Sequence, residues 1–241
     1  MAQLDLTIDS REHVAAECAR RFERVAAVAI AARGHFSCAL PGGSVAEVCF
    51  PALAGAAVDW SRTHFFFGDE RAVPPSDPQS NYGLAWRLWL GHLNEGLIHR
   101  MPADLADIDS AAARYEAALR RTLGDTPRLD LVLLGVGTDG HVCSLFPGHP
   151  ALDERERLVV AVTDAPKPPP RRLTLTLPAL AAARALVVCA FGQDKAAALR
   201  DAIEGRASGS ARPSPLALAT REHPHVAWLL DPDAASLIRR P

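Results

Sequence analysis

Several things are scarce in this sequence of 241 residues. Lysine plus arginine (26) nearly balance aspartate plus glutamate (28), leaving a formal charge of -2 and no global basic field. Nucleic acid and acidic membrane surfaces are therefore not expected partners, and any anion site has to be local. No stretch approaches a membrane-spanning length without a charge or a proline, and the opening segment MAQLDLTIDSREH is charged where an export signal needs an apolar run. A soluble, cytoplasmic protein is expected. The five cysteines (Cys18, Cys38, Cys49, Cys143, Cys189) are scattered, without a CxxC pair or a matching histidine motif, which excludes a zinc ribbon or finger. They are expected mostly as small buried apolar residues.

What is present is a globular pattern. At 49% hydrophobic residues the chain can bury a full core. β-rich runs alternate with alanine-rich amphipathic stretches, as in βα units. The expected fold is α/β: a mainly parallel twisted sheet with helices on both faces, in a Rossmann-like three-layer arrangement, over a single domain 1–241. Strands are expected at 36–40, 64–69, 129–135, 157–163, 173–177, 185–191 and 225–230. Helices are expected at 10–32, 44–53, 81–90, 110–123, 193–203 and 232–238. Ser44-Val-Ala-Glu47 reads as a capping box, and Asp231-Pro232 as a helix start. The biased stretches 165–172 (APKPPPRR) and 205–215 (GRASGSARPSP) read as loops within the domain.

In such a fold, ligands sit beyond the carboxyl ends of the strands. Four loops there are unusual. LPGGSVAE (40–47) ends a strand in two glycines and a serine, a cradle for phosphate built on bare amides and a helix start. FFFGDERAVPPSDPQSNYG (65–83) places Asp69, Glu70 and Arg71 at a strand mouth, followed by a long polar loop. LLGVGTDGHVCSLFPGH (133–149) spells GxGxxG through Gly135, Gly137 and Gly140. A dinucleotide site needs a long helix after the third glycine, and Pro147 and Pro150 forbid it. Asp139 would also stand beside the pyrophosphate. What remains is Asp139-Gly140-His141, a histidine suited to proton transfer near neutrality with an acid to orient it. A metal site from Asp139, His141, Cys143 and His149 is the weaker reading. Finally, Arg171, Arg172 and Lys195 supply cations; exposed ones are usually solvated surface, but a bound anion would compensate for Lys195 at a helix start, and their conjunction with the GGS loop points to phosphate.

Assembled, these segments resemble the 6-phosphogluconolactonase family, within the group that includes glucosamine-6-phosphate deaminases. The matches are PGGS (41–44), FFGDERAVPPSDPQSNYG (66–83), DLVLLGVGTDGHVCSLFPGHPAL (130–152), KPPPRRLTLTLPAL (167–180), 192–195 and VAWLLDPDAA (226–235). They follow the family's order along nearly the whole chain. The resemblance implies hydrolysis of 6-phospho-D-glucono-1,5-lactone to 6-phosphogluconate in the oxidative pentose phosphate pathway, without metal or nucleotide cofactor, by a monomer or weak homodimer. It implies His141 as catalytic base with Asp139 beside it. Gly42, Gly43, Ser44, Arg172 and Lys195 match the phosphate side, and Asp69 and Arg71 the DER loop. Arg172 fits the family spacing Pro-Pro-x-Arg-x-Thr better than Arg171. Leu40-Pro41, Val45-Ala46 and Cys143 depart from the common pattern, and Pro41 offers no amide hydrogen. Against the deaminase branch, Arg71 follows Glu70, and Ser144-Leu145-Phe146-Pro147 carries no ring-opening carboxylate. A noncatalytic sugar-phosphate sensor would call for a DNA-binding module, and no basic helix for one is present.

Overall fold

The computed structural model describes residues 4–205 and 213–239. In chain order its regular elements are β1 (Asp5–Ile8), α1 (Arg11–Arg33), β2 (Phe36–Leu40), α2 (Gly43–Ala54), β3 (Thr63–Phe67), β4 (Asp69–Arg71), α3 (Asn81–Leu88), α4 (Ile108–Leu123), β5 (Leu131–Leu134), β6 (Val159–Val162), β7 (Arg172–Leu175), α5 (Leu177–Ala182), β8 (Leu186–Ala190), α6 (Ala196–Glu204), α7 (Pro215–Thr220) and β9 (Val226–Leu230). Short 3-10 turns link several of them.

Six strands form a parallel sheet in the order β1-β9-β8-β5-β2-β3. Its central strands are buried on both faces: FSCAL, LVLL and LVVCA are buried at every position. That is why these runs are continuously apolar rather than alternating. Helices α1 and α2 pack on one another and α3 packs on α2, while α5, α6 and α7 pack together as a second group. On the α1/α2 side Trp89 is the centre of an aromatic cluster, with ring centroids 5.2 to 5.7 Å from Phe65, Trp60, Phe50 and Phe22.

The expected α/β fold is observed, with four corrections. First, 64–69 is not one strand. The chain breaks at Gly68, and β4 joins β7 and β6 in a separate three-stranded antiparallel sheet. Gly68 belongs to both sheets: its N–H donates to Leu40 O (2.9 Å) in the parallel sheet, and its C=O accepts from Leu175 N (2.8 Å) in the small one. A Cβ there would meet Cys143 Sγ at 2.9 Å.

Second, β1 lies in the segment read only as charged, and pairs with β9. Third, α2 begins at Gly43 with Gly42 as its cap and no capping side chain, so Ser44 and Glu47 form no capping box. Gly43 adopts φ +63°, which lets the turn start one residue early and leaves Ser44 exposed in the first helical turn. Fourth, 232–238 forms successive turns, not a helix. The cap itself is real: Asp231 accepts from Ala234 N (2.8 Å), but it also accepts from Gly192 N and Arg11 Nε.

Helices α5 and α7 were not expected; each starts with a serine or threonine cap followed by proline in the first turn. Of the 205–215 loop, residues 206–212 lie outside the described residues.

Candidate active site

In the parallel sheet the connection from β2 steps one way to β3, whereas the connections from β5 step the other way to β8 and then β9, so the strand order reverses between β2 and β5. A crevice opens at such a point, beyond the strand carboxyl ends. Here it is a cleft of about 240 Å³. Gly42, Gly43, Ser44, Asp69, Arg71, His141, Arg172 and Lys195 all line it. Asp139 stands behind His141, outside the lining.

The loop after β5 is a tight turn, with Gly137 N donating to His141 O and Gly140 N to Gly137 O, both at 2.9 Å. Gly140 has φ +78°, a conformation that favours glycine. No helix follows; residues 141–149 form turns closed by a Val142–Leu145 bridge. The dinucleotide reading is thus excluded by the backbone as well as by the prolines.

The turn presents the imidazole of His141 against Phe146, with ring centroids 4.7 Å apart. Asp139 Oδ1 lies 2.6 Å from His141 Nδ1 and also accepts from the His141 amide at 3.3 Å. Burial pulls the His141 pKa below its ordinary value, against the opposing pull of the Asp139 carboxylate. Burial also acts to raise Asp139, but the bonds and charge of His141 outweigh it and hold the carboxylate below its ordinary range. The ionised carboxylate can only accept, so Nδ1 carries the proton and donates to it, and the lone pair sits on Nε2, at the ring's other edge. Lys167 Nζ approaches Asp139 Oδ1 and Thr138 Oγ1, both at 3.4 Å.

The DER loop divides its work. Glu70 is buried and accepts from Ser80 Oγ and from the amides of Arg71, Asn81 and Tyr82, at 2.7 to 2.9 Å. It therefore anchors the start of α3, and desolvation still leaves its pKa raised despite those bonds. Asp69, also buried, accepts from Ser144 Oγ (2.6 Å) and Asn81 Nδ2 (3.0 Å). Arg71 donates to Gln79 O at 2.7 Å, tying down the long polar loop, while its Nε is buried without a partner.

Arg172 points inward and Arg171 outward, the latter donating to Ala106 O. The Arg172 guanidinium is largely engaged: it donates to Pro169 O, Lys167 O and Pro168 O at 2.9 to 3.1 Å, and lies 3.9 Å from Asp69 Oδ2. It thus folds the proline-rich loop that brings Lys167 to the cleft. Lys195 ends a 3-10 turn just before α6 and pairs with the neighbouring Asp194 carboxylate. His149 lies elsewhere, paired with Asp164 (2.9 Å), so the Asp139/His141/Cys143/His149 metal reading fails.

Among the lining residues that escaped the sequence reading are Lys167 and Asn81. Lys167 was hidden by the arginines of its own loop. Asn81, buried at the start of α3, presses its Oδ1 where a Cβ on Gly42 would come within 1.8 Å. Gly42 is therefore fixed by Asn81, which joins the glycine loop to the DER loop.

Residues 9–228 match the family model described as glucosamine-6-phosphate isomerases/6-phosphogluconolactonase. The chain is similar to a 6-phosphogluconolactonase of Mycobacterium tuberculosis, 39% identical over 98% of each chain. It is similar to that of Rattus norvegicus, 41% identical over 87% of this chain and 83% of the relative. Among solved structures, a 6-phosphogluconolactonase from Trypanosoma cruzi superposes with a TM-score of 0.85 at 25% identity, covering 97% of this chain and 96% of the other. With that match across most of its length, the chain belongs to the glucosamine-6-phosphate isomerase/6-phosphogluconolactonase family.

Proposed function

We infer that this protein is a 6-phosphogluconolactonase, hydrolysing 6-phospho-D-glucono-1,5-lactone to 6-phosphogluconate as a step of the oxidative pentose phosphate pathway. Its relatives at 39% and 41% identity bear that name. The observation that carries the mechanism is the Asp139–His141 pair, whose Nδ1 is held at 2.6 Å while the ring lines the cleft.

The lactone is an activated ester, so hydrolysis needs a placed water, a base and a partner for the developing oxyanion. His141 Nε2 takes the proton from the water that attacks C1. Asp139 holds the ring's tautomer and balances the imidazolium that forms. The same proton then serves the ring oxygen as the C1–O bond breaks. Lys167, beside the dyad, supplies positive charge where negative charge develops. At the other side, Gly43, Ser44 and Lys195 meet the phosphate, converting its binding energy into placement of C1. Arg172 shapes this surface through the proline-rich loop, and Arg71 and Asp69 hold the wall.

The test is acid release from freshly made lactone, corrected for spontaneous hydrolysis. His141→Ala is expected to lower kcat by about 100-fold or more. Lys195→Ala is expected to act mainly on KM, by about tenfold. Near-normal turnover by His141→Ala overturns the base assignment, and no acceleration by the wild type overturns the activity.

A further inference from the structure

Three of the five cysteines, 31 and 140 residues apart along the chain, meet in the core. Cys18 on α1, Cys49 on α2 and Cys189 on β8 are all buried, and their Sγ atoms lie within 4.8 Å of one another. They play no part in the cleft. Soft sulfur ligands select thiophilic ions, so the chemistry of the donor set is narrow.

Coordination number and charge narrow it further. Among the described residues, no fourth histidine, cysteine or carboxylate joins the group, whereas structural zinc takes four ligands. Three thiolates around a monovalent or divalent ion leave net negative charge in an apolar core, which is costly. A trivalent ion that prefers three ligands leaves none.

We propose that Cys18, Cys49 and Cys189 form a buried three-sulfur site for trivalent arsenic, taken up as arsenous acid. The reaction is a condensation: As(OH)3 and three thiols give As(S-Cys)3 and three waters. Three As–O and three S–H bonds break, three As–S and three O–H bonds form, and nothing is oxidised or reduced. The entering acid and the product are both uncharged, so neither entry through a local opening of the core nor residence there buries a charge. The three sulfurs have to close up only modestly, because α1 and α2 pack on one another and α2 on β8.

The experiment incubates the full chain with sodium arsenite under a phosphine reductant, which offers no competing thiol. Intact-mass measurement is expected to show one arsenic gained and three hydrogens lost per chain. X-ray absorption at the arsenic edge is expected to show three sulfur neighbours and no oxygen. The thermal midpoint is expected to rise with arsenite concentration, as for any ligand of the folded state. Cys49→Ala is expected to abolish the mass gain and the shift, and Cys38→Ala, in β2, to retain both. Arsenic retained by Cys49→Ala, or mixed oxygen and sulfur ligation in the wild type, overturns the proposal. The wild-type absorption spectrum decides the matter even if Cys49→Ala fails to fold. Zinc held stoichiometrically by these cysteines with arsenite excluded also overturns it.

Discussion

Gly137 and His141 are in contact so close that a single added carbon separates them: a Cβ on Gly137 would lie 1.9 Å from His141 Nδ1 and 2.7 Å from Asp139 Oδ1. The glycine is therefore the floor on which the dyad rests. Gly137→Ala is expected to displace the imidazole and lower kcat by about 100-fold, comparable to losing the base. The fold should persist, because the clash falls on a side chain at the rim. Steady-state kinetics beside a circular dichroism melt check both halves.

Asp139→Asn removes the charge that opposes the effect of burial on His141. The imidazole pKa then falls further below its ordinary value, and the acid limb of kcat/KM moves to lower pH. The rate at the plateau is expected to drop by about tenfold or more, because an amide no longer fixes the tautomer. A pH profile of kcat/KM from acid to neutral conditions reads both changes.

Lys167→Met is expected to shift the same limb the opposite way. The ammonium lowers the His141 pKa, so its removal raises it and the acid limb moves to higher pH. Opposite displacements in the two variants, measured in one buffer series, identify His141 as the titrating group.

His64 Nδ1 and His99 Nε2 lie 3.1 Å apart, and both rings are held below the ordinary histidine pKa, His99 at about 4, chiefly by burial. The unfolded chain binds protons near pH 6.5, where the folded chain does not. Stability is therefore expected to fall as pH drops from about 6.5 towards 4. His99→Gln should flatten that slope, as read by urea midpoints at a series of pH values.

Much of the fold was legible because its strands are buried on both faces and so appear as continuous apolar runs bounded by glycine or proline. FSCAL and LDLVLLG are cases in point. The two-sheet division was not legible. β6 and β7 carry the same valine- and leucine-rich runs as the parallel strands, and pairing partners leave no mark on a single sequence.

In the site, the chemistry-bearing types stood out at the strand ends, and eight of the nine chosen residues line one cleft. Their division of labour was hidden in geometry. Glu70 and Asp69 are adjacent and chemically alike, yet one anchors α3 and the other meets Ser144. Arg172 looked like a free cation, and its bonds to three carbonyls appear only once the proline-rich loop has folded around it. The cysteine trio was illegible for the same reason, since spacing along the chain says nothing of three elements converging.

Gly68 gives its N–H to one sheet and its C=O to the other. Exchange of backbone hydrogens therefore cannot be independent on its two sides: loosening the small sheet frees the Leu175 amide and slackens the same residue that closes the end of β3 against β2. The dyad stands at the end of the parallel sheet and Arg172 on the small one, and Gly68 is a joint between them, beside Ser144, whose amide donates to Thr174 Oγ1 and whose hydroxyl donates to Asp69. The width of the cleft is therefore expected to follow the integrity of the small sheet, so that a destabilising substitution on β6 alters turnover without touching the substrate.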